Sequence, residues 1–77
     1  MFYVYILESE KTGRHYYGMT TDVDQRLHYH NKGHVRSTRF YRPWRIILVE
    51  QYDTRLGARE RELELKKSYA KRKGALK

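Results

Sequence analysis

The sequence predicts an α+β fold: a small three-stranded antiparallel sheet flanked by helices, in the order β-β-α-(irregular or short α)-β-α. Three observations carry this. Two runs, Phe2 to Leu7 and Trp44 to Tyr52, are dominated by β-branched and aromatic residues and are too short for ordinary helices. A polar Thr12-Gly13 loop follows the first run and leads straight into a second extended run, as a hairpin requires. Two later stretches open on helix-capping residues and space their apolar side chains for one face.

The elements follow in order. Phe2-Tyr3-Val4-Tyr5-Ile6-Leu7 has no polar alternation, so it reads as a strand buried on both faces. His15 to Thr20 is the second strand, and Gly18 inside it marks a bulge or a close approach by another group. Asp22 with Gln25 forms a capping box, Val23 and Leu27 supply the apolar face, and Gly33 is available for a left-handed cap. Residues 34 to 43 are irregular, or at most one short helical turn. Pro43 stands where a third strand can begin, and Trp44 to Tyr52 is that strand. Asp53 or Thr54 caps a last helix running to about Ala70, and a basic tail from about Lys71 frays.

Length and composition narrow the function. With 77 residues the chain is expected to be one small domain, with a core too thin to do without its aromatics, which make up 14%. Cys is absent, which removes disulfides and thiolate metal sites, and a cytoplasmic location is the default expectation. No apolar run approaches the ~20 residues of a membrane span, and no membrane partner is expected. Lys and Arg number 17 against 9 Asp and Glu, a net charge of +8. Such self-repulsion favours a polyanionic partner, and nucleic acid is the foremost candidate.

Spacing then selects residues. Ala58, Glu62, Leu65 and Tyr69 recur at i, i+4, i+7 and i+11, one face of the last helix. A carboxylate in an apolar stripe needs a metal ion, a buried cation or a border position. The plain alternative is a surface pair between Glu62 and Lys66. Glu60 and Glu64 lie on other faces and read as solvated charges. Arg26 and His30 share a face of the first helix, where both can meet a phosphate, or where Arg26 is solvated and His30 bonds to backbone. Tyr5 and Tyr16 lie on strands, where most tyrosines simply pack. His28, His30 and His34 have neither a thiolate nor an evident further ligand for zinc. Lys32, Arg36, Arg39, Arg42 and Arg45 are interleaved with Phe40, Tyr41 and Trp44 and interrupted by no acid. Arginine forks suit phosphates and exposed aromatic rings suit unpaired bases, so this stretch, with Lys66, forms the candidate nucleic-acid surface.

Taken in order, these pieces resemble the GIY-YIG nuclease superfamily. Tyr3-Val4-Tyr5 stands for the first motif, with Tyr3 in place of Gly, and Tyr16-Tyr17-Gly18 for the second, with Tyr17 in place of Ile. Both motif tyrosines, Tyr5 and Tyr16, are present. Arg26, His30-Asn31, Arg42-Pro43-Trp44 and Ala58-x-x-x-Glu62-x-x-x-Lys66 follow in register. The chain is most similar to the small stand-alone bacterial branch, itself similar to the catalytic domain of the nuclease subunit of excinuclease ABC. Met19 departs from the Lys that excinuclease-type members carry after the YIG Gly.

The resemblance implies a metal-dependent endonuclease hydrolysing DNA phosphodiester bonds, with a role in repair or in processing single-stranded or branched DNA. It implies that Glu62 holds one divalent cation, Mg²⁺ or alternatively Mn²⁺, and that Arg26 clamps the phosphate. Tyr5 would act as general base or position the attacking water, with Tyr16 supporting it and His30 sharing the proton transfer or binding phosphate. A tyrosine near its ordinary value of about 10 is a poor base and needs a cationic neighbour. Weak sequence discrimination, or specificity supplied by a protein partner, would be expected. The alternative is a catalytically inactive nucleic-acid-binding module, which the degenerate first motif suggests.

Overall fold

The computed structural model describes residues 1–67. The expected end of the last helix near Ala70, Tyr69 of its apolar stripe and the basic tail from Lys71 lie outside the described residues. The elements are β1 (Phe2–Ser9), β2 (His15–Thr20), α1 (Val23–Lys32), a 3-10 turn (Arg39–Tyr41), β3 (Trp44–Tyr52) and α2 (Arg55–Lys67). The three strands form one antiparallel sheet in the order β2-β1-β3.

The central place of β1 explains its unbroken apolar run. Val4, Tyr5, Ile6 and Leu7 are all buried because both faces of the strand are covered. Val4 and Ile6 pack with Ala58 and Leu65 of α2. Tyr5 and Leu7 pack on the opposite face with Trp44, Val23, Leu27 and Tyr41, from β3, α1 and the 3-10 turn. Burial of each large apolar side chain contributes roughly 1.5–3 kcal/mol. The β1–β3 register shifts between Ile6 and Leu7, whose partners are Leu48 and Ile46, so Ile47 is the extra residue of a bulge.

Local chemistry ends and joins the elements. The Asp22 carboxylate accepts from the Gln25 N–H at 3.0 Å and starts α1. Gly33 ends it at φ +82°, a conformation that disfavours side chains. The Thr54 hydroxyl accepts from the Gly57 N–H at 3.1 Å at the start of α2, which settles the choice between Asp53 and Thr54. In the β1–β2 hairpin, the buried Ser9 hydroxyl accepts from the Thr12 N–H at 3.0 Å and donates to the Tyr41 carbonyl. The Asn31 side chain completes the end of β3. Its Oδ1 accepts from the Trp44 N–H at 2.6 Å and its Nδ2 donates to the Trp44 carbonyl at 3.1 Å. Arg61 ties α2 to β3 by a two-pronged contact with Glu50, Nε–Oε1 2.8 Å and Nη2–Oε2 3.1 Å. Its third nitrogen reaches Glu64 Oε1 at 3.0 Å, so Glu64 is an ion-paired group and not simply the solvated charge its spacing suggests.

Candidate active site

Gly18 and Tyr5 are directly paired across β2 and β1. The Tyr5 ring lies over Gly18 so closely that a Cβ there would overlap the hydroxyl and fall 2.9 Å from Cε1. Gly18 is therefore required by close approach and not by its backbone angles. Tyr16, two residues earlier on β2, has its ring centroid 6.3 Å from that of Tyr5.

His30, in the last turn of α1, is 1% exposed and completes this group. Its ring lies 4.7 Å from the Tyr16 ring, centroid to centroid. Its Nδ1 is 2.8 Å from Thr38 Oγ1, and its Nε2 is 3.4 Å from the Tyr5 hydroxyl. The Thr38 hydroxyl donates to the Val35 carbonyl at 3.3 Å, so its oxygen accepts from His30. By that donor count the proton resides on Nδ1, and Nε2 accepts from the Tyr5 O–H.

Burial holds both partners uncharged. It pushes the Tyr5 phenol well above its ordinary value, and Tyr16 and Glu62 push the same way while Arg26 opposes them. The cationic neighbour expected to lower Tyr5 is thus present in Arg26, but desolvation outweighs it. Burial, with the Arg26 charge second, lowers His30 to about 4. Arg26 itself is exposed on α1 and reaches a cleft of about 170 Å³ lined also by Phe2, Met19, Thr20, Thr21 and Arg55.

Glu62 is 5% exposed, in a stripe with Ala58 and Leu65, as the spacing indicates. It has two cationic partners. Arg59 Nη1 lies 2.9 Å from Oε1, and Lys66 Nζ lies 3.1 Å from Oε2. The Lys66 pairing considered as the plain alternative is therefore formed, and Arg59 joins it. Among the described residues no group of three or more His, Cys, Asp or Glu could hold a metal. A lone buried carboxylate fits Mg²⁺, which keeps several waters and needs only one or two protein oxygens. It does not fit zinc.

The structure sorts the candidate nucleic-acid residues. Lys32, Arg36, Arg39 and Arg42 are exposed, and no acid pairs with them among the described residues, whereas Arg45 of the same stretch is tied to Glu8 across β3 and β1. Trp44 departs from the expectation. It is 3% exposed and its indole N–H donates to the Thr38 carbonyl at 3.0 Å, so its ring is core and cannot stack on a base. The residue before a strand-opening tryptophan gives no hint of this; the Asn31 clamp that draws Trp44 inward joins residues 13 apart. The ring left open is Phe40, 68% exposed, with the Arg39 guanidinium 5.0 Å from its centroid. Lys66 faces Glu62 and is only half available to a phosphate. Sequence reasoning missed Arg59, Thr38 and Arg55. Arg59 was visible as the i−3 neighbour of Glu62; Thr38 had no local signal.

Comparison with known proteins supplies the family. The GIY-YIG catalytic domain matches residues 1–75. A UPF0213 protein of Haloquadratum walsbyi is 42% identical over 72 residues, covering 92% of this chain and 79% of that protein. A UPF0213 protein of Syntrophus aciditrophicus is 40% identical over 68 residues, covering 84% and 76%. The solution NMR structure of a UPF0213 protein from Bacillus halodurans superposes with a TM-score of 0.58 at 36% identity, covering 96% of this chain and 81% of that one. No helix among the described residues is long and apolar enough to cross a membrane. By the domain match and these relatives together, the chain belongs to the GIY-YIG catalytic domain family, a family of endonucleases that act on DNA with divalent metal ions.

Proposed function

We propose that this chain is an endonuclease that hydrolyses DNA phosphodiester bonds with Mg²⁺ or Mn²⁺, in repair or in processing of single-stranded or branched DNA. One observation carries the reading: Tyr5, Tyr16 and His30 form one cluster, with the Tyr5 ring over Gly18 and the charges of Arg26 and Glu62 both bearing on the Tyr5 hydroxyl.

Glu62 would hold the cation, which supplies charge stabilisation at the phosphate and at the leaving oxygen. Arg26 is exposed beside the cleft and has a fork suited to the remaining phosphate oxygens. Tyr5 acts as a neutral phenol. It orients the attacking water and takes the water's proton as it passes its own to His30 Nε2, the acceptor already in line. Neither Tyr5 nor His30 ionises alone near neutral pH, so this transfer proceeds only in step with attack. Tyr16 packs against both rings and fixes their angle. Lys32, Arg36, Arg39 and Arg42 supply phosphate contacts along the strand, and a protein partner supplies specificity.

A binding module without catalysis is the second reading. It is favoured by the engagement of both Glu62 oxygens by Arg59 and Lys66. The deciding experiment incubates the protein with Mg²⁺ or Mn²⁺ and single-stranded, nicked, branched and duplex DNA, beside Glu62→Gln. Metal-dependent products from the wild type alone establish the nuclease. Salt-sensitive binding with no product on any substrate establishes the module.

A further inference from the structure

A second cleft adjoins the one that Arg26 reaches. It has a volume of about 560 Å³ and is lined by Met19 of β2 and by Arg55, Leu56 and Arg59 of α2. Met19 and Arg55 line both clefts, so the two are neighbours. Leu56 is 68% exposed, an apolar side chain presented to the cleft and otherwise to water. Arg55 has no acidic partner among the described residues, and the first turn of α2 contains no acid. Two arginines in the first turns of a helix oppose the helix dipole, a cost that a bound anion relieves. Arg59 joins this cleft to Glu62 through its 2.9 Å contact.

Two apolar side chains beside two arginines, one side chain away from a candidate phosphate site, complement the chemistry of a nucleotide. The cleft is of small-molecule size. A nucleobase presents an apolar face and needs no hydrogen-bond partners when it stacks without sequence preference. We propose that this cleft is a nucleobase subsite. It takes an unpaired base next to the phosphate held at Arg26 and Glu62, against Met19 and Leu56, with Arg55 and Arg59 on the flanking phosphates. A paired base cannot enter without unstacking, which costs a few kcal/mol. The cleft therefore selects single-stranded or distorted DNA over intact duplex. This deepens the nuclease reading and rests on it for the position of the phosphate.

The test measures binding, which is independent of cleavage. Fluorescence anisotropy compares a labelled oligothymidine with a strand of equal length and charge built from abasic sugar-phosphate units, in the absence of metal. Wild type is expected to prefer the oligothymidine by about tenfold, the lower part of the range for stacking one base. Leu56→Ser, at an exposed position, is expected to lose most of that preference and keep its affinity for the abasic strand. Arg55→Gln is expected to weaken both strands alike and to lower the salt slope by about one counterion. Equal affinity of wild type for both strands overturns the proposal. So does a Leu56→Ser variant that keeps the full preference, since the bases would then stack elsewhere. A wild type that shows the Leu56-dependent preference and never cleaves refutes the nuclease reading and leaves the base subsite standing.

Discussion

The Tyr5 ring occupies the space where a Gly18 side chain would be. A Cβ at Gly18 would overlap the Tyr5 hydroxyl, and the two residues are direct cross-strand partners. Tyr5 is buried and bonded to His30, so shifting it breaks that contact. Gly18→Ala is therefore expected to displace the phenol and cost at least about 1–3 kcal/mol of stability, the usual range for overpacking a filled site. Cleavage should fall by at least about a hundredfold, since misplacing a reacting group by an ångström has that effect. Urea unfolding and a single-turnover assay on the same preparation separate the two losses. Undiminished cleavage would show that the Tyr5 hydroxyl is not part of the chemistry.

Arg59 and Lys66 compete with any cation for Glu62. Both are about half exposed, so each ion pair is worth no more than about 1 kcal/mol. Arg59→Gln is expected to tighten Mn²⁺ binding by roughly two- to fivefold, because the carboxylate then has one partner fewer to release. Mn²⁺ titration followed by electron paramagnetic resonance reads this without DNA. Unchanged or weaker binding would mean that Arg59 does not guard the carboxylate.

His30 makes stability depend on pH. Its folded value of about 4 is below the ordinary 6.5, so the unfolded chain binds more protons between those limits. The contribution of neutral His30 is complete above about pH 6.5 and is lost as pH falls towards 4, at most about 3 kcal/mol. Denaturant titrations across that window should show a steeper loss in wild type than in His30→Gln. Parallel curves would show that His30 is protonated with ease in the folded state.

Asn31 replaces a strand at the start of β3. Its amide accepts from and donates to the Trp44 backbone, and no aliphatic side chain can do either. Asn31→Ala should cost about 1–3 kcal/mol by leaving both groups unpaired. Asn31→Asp keeps the acceptor and should recover part of that loss. Thermal unfolding of the two variants decides whether the amide or merely its bulk matters.

Much of this was legible in the sequence, for identifiable reasons. The absence of alternation in Phe2 to Leu7 marks a central strand, and β1 is central. Asp22 with Gln25 and Gly33 mark the ends of α1 by local hydrogen bonding, which is a property of neighbouring residues. The helical period selected Glu62 for burial over Glu60 and Glu64. What the sequence concealed depends on partners far along the chain. Trp44 looks like a stacking ring until Asn31 and Thr38 are seen to hold it inside. The protonation of Tyr5 is a contest between burial and Arg26, and no motif states how deeply a side chain is buried. The pairing of Tyr5 with Gly18 needed the register of the hairpin.

β1 supplies alternate side chains to two different layers, with Val4 and Ile6 towards α2 and Tyr5 and Leu7 towards α1. The strand that presents the Tyr5 hydroxyl is therefore also the keystone between both halves of the core. Among the described residues there is no further layer to absorb local loosening. Amide hydrogens of β1 should be the slowest to exchange, at the rate of global unfolding. Occupancy of the site then cannot be felt by a lid or a loop alone: whatever binds there raises the melting temperature of the sheet and both helices together, by mass action on the unit that β1 joins.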